Sequence, residues 1–212
     1  MCIRDSIRID GPYGAPAEDV LDNEVAVLIG TGIGVTPWAA ILKNIWHMRK
    51  QGHPMRLRRV EFIWVCRDTT SFEWFQALLA SLEAQSLADA AANGRPADEF
   101  LKIHTYLTQK LDVDAATNII LNSVGTDKDP LTELNTRTNF GRPDFDKILK
   151  AMRDGILNQG YGRSGGCWNK EERTDVGVYF CGPNAAARDI DKACKGATVA
   201  DGVRFRFWKE HF

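Results

Sequence analysis

The chain has 212 residues, enough for one large domain or two small ones with a sizeable core. Its formal charge of −1 argues against a generic nucleic-acid binder, because affinity for a phosphate backbone needs a surplus of Lys and Arg. No apolar run reaches the ~20 residues of a membrane span, so no span is expected in this chain.

The opening MCIRDS lacks the charged-then-apolar build of a signal peptide. IRIDGPYG then reads as a strand ending in a sharp Asp-Gly-Pro turn, so residues 1–22 are expected to be the tail of a preceding unit. From residue 23 onward, short Val/Ile/Phe-rich runs alternate with helical stretches, the rhythm of βα units on a mainly parallel sheet. Five strands are expected: 25–30 (VAVLIG), 60–66 (VEFIWVC), 101–107 (LKIHTYL), 176–182 (VGVYFCG) and 203–208 (VRFRFW). A helix is predicted over 37–50, with Trp38, Ile41, Leu42, Ile45 and Trp46 on one face. SFEWFQALLASLEAQ predicts another, with Phe72, Phe75, Leu78, Leu79 and Leu82 aligned, and both aromatic stripes read as core. The run HMRKQGHPMRLRR (47–59) reads as the solvated end of a helix, with anionic lipid or a partner as the alternative. Residues 86–100 and 155–175 read as surface insertions, small or Gly-rich, and are expected to be mobile. A further helix opens at a Gly-Pro turn and runs through Phe145 and Ile148. The five cysteines, Cys2, Cys66, Cys167, Cys181 and Cys194, form no C-x-x-C pair, which suggests neither zinc nor a disulfide framework and fits a reducing compartment. His47, His53, His104 and His211 lack ligand spacing and read as surface or packing residues.

The stretch LIGTGIGVTP (28–37) almost matches the dinucleotide fingerprint G-x-G-x-x-G, with its third glycine one residue early. Gly30, Gly32 and Gly34 free the backbone of side chains where the first strand ends, so N–H groups can approach a phosphate, the alternative being a merely tight strand-to-helix turn. Thr36 is a natural N-cap and Pro37 a natural first helical residue, which aims a helix dipole into the loop. At the end of the second strand, where an acid would hold a ribose 2′-hydroxyl, WVCRD offers Arg67, a fork suited to a 2′-phosphate. Asp68 beside it leaves open an ordinary ion pair. Cys181, Gly182 and Pro183 end the fourth strand; a lone Cys in a strand reads by default as a buried structural residue, but the Gly-Pro stop favours a rim position at which the sulfur touches a flat ring. With no His or Lys near it in sequence, Cys181 does not read as a nucleophile. NFGRP supplies a second arginine, Arg142, which alone reads as a surface charge.

DGPYG, GTGIGVTP, FIWVCRD with SFEWF, IHTYLT, NFGRPDF, VYFCGP and a terminal KEHF, in this order, resemble the C-terminal NADPH-binding region of the NADPH oxidases. That family lies within the ferric-reductase and ferredoxin-NADP-reductase superfamily, and details such as ATNII and TNFGRP look most like fungal or other microbial eukaryotic members. The resemblance implies a Rossmann-like, open, parallel five-stranded sheet with helices on both faces, preceded by a remnant strand of a flavin-binding barrel. Gly30, Thr31, Gly32, Ile33, Gly34, Val35, Thr36 and Pro37 would then cradle the pyrophosphate and nicotinamide side, and Arg67 and Arg142 would clamp the 2′-phosphate. Cys66 would lie at the adenine-ribose end, while Cys181, Gly182 and Pro183 would border the hydride-transfer point. Phe212 would stack on the flavin and yield to nicotinamide, and Asp10, Gly11, Pro12 and Gly14 would form the joint to the flavin domain. The implied reaction takes a hydride from NADPH to FAD, then passes single electrons through haems to dioxygen, giving superoxide.

The haem helices and flavin-barrel signature are not found in the sequence, so the chain reads as a fragment, with weak NADPH binding and no turnover alone. Its implied partners are the flavin and haem domains of the same longer chain and cytosolic regulatory proteins, at the cytosolic face of a membrane. A ferric-chelate reductase, or a truncated module that binds nucleotide or a partner without passing electrons, are the alternatives.

Overall fold

The computed structural model describes residues 16–94, 100–109, 117, 119, 128–159, 173–200 and 202–210. Six strands form one sheet: β1 (Val25–Thr31), β2 (Arg59–Cys66), β3 (Leu101–Leu107), β4 (Asn139–Phe140), β5 (Thr174–Cys181) and β6 (Val203–Glu210). Their spatial order is β4-β3-β2-β1-β5-β6, and every neighbouring pair is parallel. Among the described residues, helices α1 (Thr36–Lys50), α2 (Thr70–Asn93), α3 (Phe145–Gln159) and α4 (Asn184–Ala197) accompany them.

Parallel sheets survive only when both faces are covered, and the strand sequences record this. In β1, β2 and β5 nearly every residue is buried, whereas β3 alternates buried with half-buried positions. One face packs Leu28, Phe62, Trp64 and Tyr179 against Trp38, Leu42 and Ile45 of α1 and Phe75, Leu79 and Leu82 of α2. The other packs Val27, Ile29, Ile63, Val178 and Phe180 against Leu149 and Met152 of α3 and Ile190 and Cys194 of α4. The expected helices on both faces are therefore present. Phe72 of the second aromatic stripe lies outside the described side chains.

All five expected strands form, and the sixth, β4, adds only two residues at the edge, too short to leave a pattern in sequence. Two segments expected as insertions continue helices instead. Residues 86–93 complete α2, which closes at Gly94 in the left-handed conformation (φ 61°). LADAAAN is small but Ala-rich, and Ala is the strongest helix former. Arg49 fixes this end, bonding Asp89 at 2.8 Å while its guanidinium lies 4.0 Å above the Phe100 ring. Residues 155–159 likewise finish α3, with Ile156 buried. The rest of both insertions, 95–99 and 160–172, lies outside the described residues.

Residues 16–22, expected as part of a connector, make a 3₁₀ turn seated on the sheet, with Val20 buried in the first core. The amide of Asn23 anchors it, donating to Asp19 O at 2.9 Å and to the Tyr179 hydroxyl at 2.7 Å.

Candidate functional site

The chain steps outward from β1 through β2 and β3 to β4, then returns to lay β5 on the opposite side of β1. Strand order thus reverses between β1 and β5, where a crevice opens beyond the carboxyl ends in open α/β sheets. Gly30 pairs in register with Cys181, so the loop after β1 and the Gly182-Pro183 turn after β5 face each other there.

The loop does not run straight into α1. Thr31 is extended, Gly32 turns at φ 54°, and Gly32–Val35 form a 3₁₀ turn continuous with the helix. This corrects the expected cap. Val35 is already helical, so Thr36 is an interior residue whose hydroxyl donates to Ile33 O at 3.0 Å. The open N–H groups of the helix start therefore lie one turn earlier, among Gly32–Val35. Two buried indoles hold this turn: Trp64 donates to Gly32 O at 3.2 Å, and Trp38 to Ile29 O at 3.0 Å.

The three glycines have different roles. A Cβ on Gly30 would sit 2.8 Å from Val35 Cα, and one on Gly34 only 2.6 Å from Cys181 O, so both permit close packing. A Cβ on Gly32 would meet nothing within 4 Å. Gly32 is thus the glycine whose surroundings leave room for a phosphate. Gly34→Ala is expected to lower stability by about 1–3 kcal/mol, the cost of overpacking, measured by urea unfolding. An unchanged midpoint would show that the β5 turn yields freely.

Cys181 differs from the rim position expected of it. Its side chain is buried beneath Gly34, whose Cβ would lie 3.1 Å from the sulfur. Burial first, and then the Glu210 carboxylate, push the thiol above its usual range, which fits a neutral sulfur rather than a nucleophile. Gly182 packs as tightly: a Cβ there would fall 2.0 Å from Thr31 Oγ1, and that hydroxyl donates to Cys181 O at 3.4 Å. Pro183 is exposed and precedes the first turn of α4.

Arg67 and Arg142 come together. A cleft of about 910 Å³, within the usual range for ligand sites, is lined by both arginines with Thr31, Gly32, Pro183 and Lys192. A second cleft lies between Arg67, Asp68, Thr108, Gln109 and Arg142. Both guanidinium groups are exposed, and among the described residues neither pairs with a carboxylate, so Asp68 does not occupy Arg67. Asp144 also lines the larger cleft. The Lys147 N–H and ammonium hold its carboxyl below the usual range, so the cleft carries both signs of charge.

Two other residues are placed differently from expectation. Cys66 lines neither cleft; its thiol is buried in the first core and pushed up to about 12 by burial and then by Asp68. Its carbonyl is taken by the Thr108 N–H at 2.9 Å and hydroxyl at 3.0 Å. Cys66 shares the strand parity of Phe62 and Trp64, which points it into the core. Val35 is fully buried and only its backbone can serve a ligand, whereas Ile33 is 81% exposed at the loop tip. Pro37 is half-buried in the first turn of α1. Asp10, Gly11, Pro12, Gly14 and Phe212 lie outside the described residues.

Helix α4, not expected from the sequence, has an inner face made of Ala187, Ile190, Ala193, Cys194 and Ala197. Their i, i+3, i+4 spacing was the available signal, muted because most are small. A buried charge cluster is likewise unexpected from the sequence. Glu61 accepts from Arg59 at 2.7 Å and lies 2.6 Å from His104 Nε2. The expected solvated run thus ends in a buried Arg59.

No described helix is long and apolar enough to cross a membrane, and no His/Cys/Asp/Glu group among the described residues could hold a metal. Residues 23–195 match the family model described as ferric reductase NAD binding domain. The chain is 36% identical over 208 residues to a superoxide-generating NADPH oxidase heavy chain of Dictyostelium discoideum, covering 97% of this chain and 35% of that protein. It is 36% identical to NADPH oxidase 1 of Rattus norvegicus over 209 residues (97% of this chain, 33% of that one). With NADPH oxidase 5 of Homo sapiens the identity is again 36%, over 228 positions (96% and 26%). The chain therefore spans about a third or less of the length of these relatives. A parallel sheet whose order reverses beside a glycine-rich turn and two cleft-facing arginines agrees with that match: the chain belongs to the ferric reductase NAD-binding domain family.

Proposed function

We propose that this chain binds NADPH and positions it for hydride transfer to an FAD held elsewhere in a longer NADPH oxidase. The observation that carries the reading is the shared cleft, which joins the glycine turn at the strand-order reversal to both Arg67 and Arg142. The backbone N–H groups of Gly32–Val35 suit a pyrophosphate, and the open space over Gly32 accommodates it. The two guanidinium groups suit a 2′-phosphate, which distinguishes NADPH from NADH. Gly182 and Pro183 would border the nicotinamide, with the buried Cys181 sulfur beneath Gly34 shaping the floor.

NADPH supplies the hydride, and the flavin and haems carry the difficult chemistry; the role of this chain is binding, orientation and electrostatics. The names of the two Dictyostelium relatives, superoxide-generating NADPH oxidase heavy chain subunits A and B, favour superoxide generation over reduction of a ferric chelate. On this reading, Phe212 would cover the flavin until nicotinamide arrives, and Asp10, Gly11, Pro12 and Gly14 would join the flavin domain. The longer protein would lie in a membrane, with this part on its cytosolic side and regulatory proteins as further partners. Titration calorimetry of the chain with NADPH and NADH tests the binding step: NADPH should bind measurably tighter. Equal affinities would contradict the assignment of the cleft.

A further inference from the structure

We propose that Asp129, remote from the cleft in sequence, is a positioning residue for Arg142 and through it for recognition of the 2′-phosphate. The inference rests on the NADPH reading above. Arg142 follows β4, which pairs with β3 through only Asn139 and Phe140. So short an edge strand has little hold of its own, and the chain turns at once at Gly141 (φ 96°). What fixes it lies behind.

Asp129 is buried, and its Oδ2 gathers three donors: the Thr132 N–H at 3.1 Å, the Thr132 hydroxyl at 2.6 Å and the Thr138 hydroxyl at 2.6 Å. Thr138 has one hydroxyl hydrogen, and the carboxylate takes it. The 2.9 Å bond between Thr138 and Thr105 therefore has Thr105 as its donor. A directed relay results, from Thr105 in β3 to Thr138 and on to Asp129, with all three residues buried. Backbone bonds close the same loop, from Asp129 N–H to Leu134 O at 2.7 Å and from Glu133 N–H to Asp129 O at 2.8 Å. Leu134 plugs the first core, and the Asn135 side chain bonds Glu83 of α2 at 3.0 Å.

Thr138 is the residue before β4, so the relay sets where that strand meets β3. Asn139 Nδ2 then donates to Thr105 O at 3.3 Å, and Gly141 N–H to Leu107 O at 2.8 Å, which delivers Arg142 to the cleft opposite Arg67. A buried carboxylate that only filled space would be a costly choice, since burial disfavours charge unless donors satisfy it. Among the described residues, every donor to its side chain lies on the loop that leads to Arg142.

The test measures binding of 2′,5′-ADP, which carries the 2′-phosphate without nicotinamide, and of 5′-ADP, which lacks it. Asp129→Asn keeps the shape but offers three donors one neutral oxygen. Thr138→Val removes only the relay hydroxyl. Each should reduce the preference for 2′,5′-ADP about tenfold, as loss of one charged contact would, with 5′-ADP binding unchanged. Adding Arg142→Ala to either should cost little further preference. If Arg142→Ala abolishes the preference while both relay variants keep it, the positioning role is overturned. A uniform loss for both nucleotides would also overturn it, as the mark of a purely structural residue. If the unaltered chain shows no preference, the NADPH reading itself fails, and with it the premise for Asp129.

Discussion

Arg67→Ala combined with Arg142→Ala is expected to weaken NADPH binding about 100-fold while leaving NADH almost unchanged. Each lost charge-assisted hydrogen bond is worth about 1.5–3 kcal/mol, and the lower end applies because both side chains face solvent. Two such losses sum to about 3 kcal/mol, and 1.4 kcal/mol is a factor of about ten. The selectivity matters more than the size. NADH has no 2′-phosphate, so arginines that serve only that group cannot affect it. Isothermal titration of both nucleotides against the double variant measures this directly, and equal losses for the two would move the arginines to a different part of the ligand. Neither arginine has a carboxylate partner among the described residues, so removing them leaves no buried acid unpaired and stability should hold.

Glu61→Ala should lower stability by about 3–5 kcal/mol, the usual result of removing one partner of a buried ion pair. Its carboxylate sits between Arg59 and His104 on the α3/α4 face of the sheet, with Arg59 and Glu61 both buried. Burial pushes the carboxyl up, but the hydrogen bond with His104 and the Arg59 charge outweigh it, and the net shift is downward. A folded value below the unfolded one, about 4.3, means stability that is fully present above the unfolded value. That stability is lost as pH falls through the folded value. Urea unfolding at neutral pH and near pH 3 should therefore show the gap between parent and variant narrowing in acid. A gap that stays constant would mean that the Glu61 charge contributes nothing and that only packing was lost.

The framework was legible because it follows from short-range physics. Runs such as VAVLIG and VEFIWVC are apolar throughout, as strands buried on both faces must be, and each recurs where the sheet needs it. Helix α1 was legible from Trp38, Leu42 and Ile45 at helical spacing. What stayed hidden depends on tertiary context. The pairing of Asn139–Phe140 with β3 has no sequence period, because two residues cannot show one. The roles of Gly30 and Gly34 were hidden too, since only the fold brings Val35 and Cys181 against them.

At the site, residue types were legible but directions were not always. Arg67 and Arg142 are 75 positions apart in the chain, yet they meet because β2 and β4 both flank β3 and all three strands run the same way. Cys66 could have been directed inward from sequence by its parity with Trp64 and Phe62. Cys181 could not, because what covers it is Gly34 from a loop 147 positions away. The early third glycine of GTGIGVTP acquires a reason in the same contact. Gly34 stands where β5 leaves no space for a side chain, while of the three glycines in this loop Gly32 stands open.

On the proposed function, one nucleotide lies across the strand-order reversal, with its pyrophosphate on the glycine turn and its 2′-phosphate between the two arginines. A crystal structure of the chain with NADP⁺ bound tests it most directly. Pyrophosphate oxygens are expected within hydrogen-bond distance of backbone N–H groups in Gly32–Val35, and the 2′-phosphate bonded to both Arg67 and Arg142. A nucleotide bound with its 2′-phosphate away from both arginines, or with its pyrophosphate off the Gly32–Val35 turn, would contradict it.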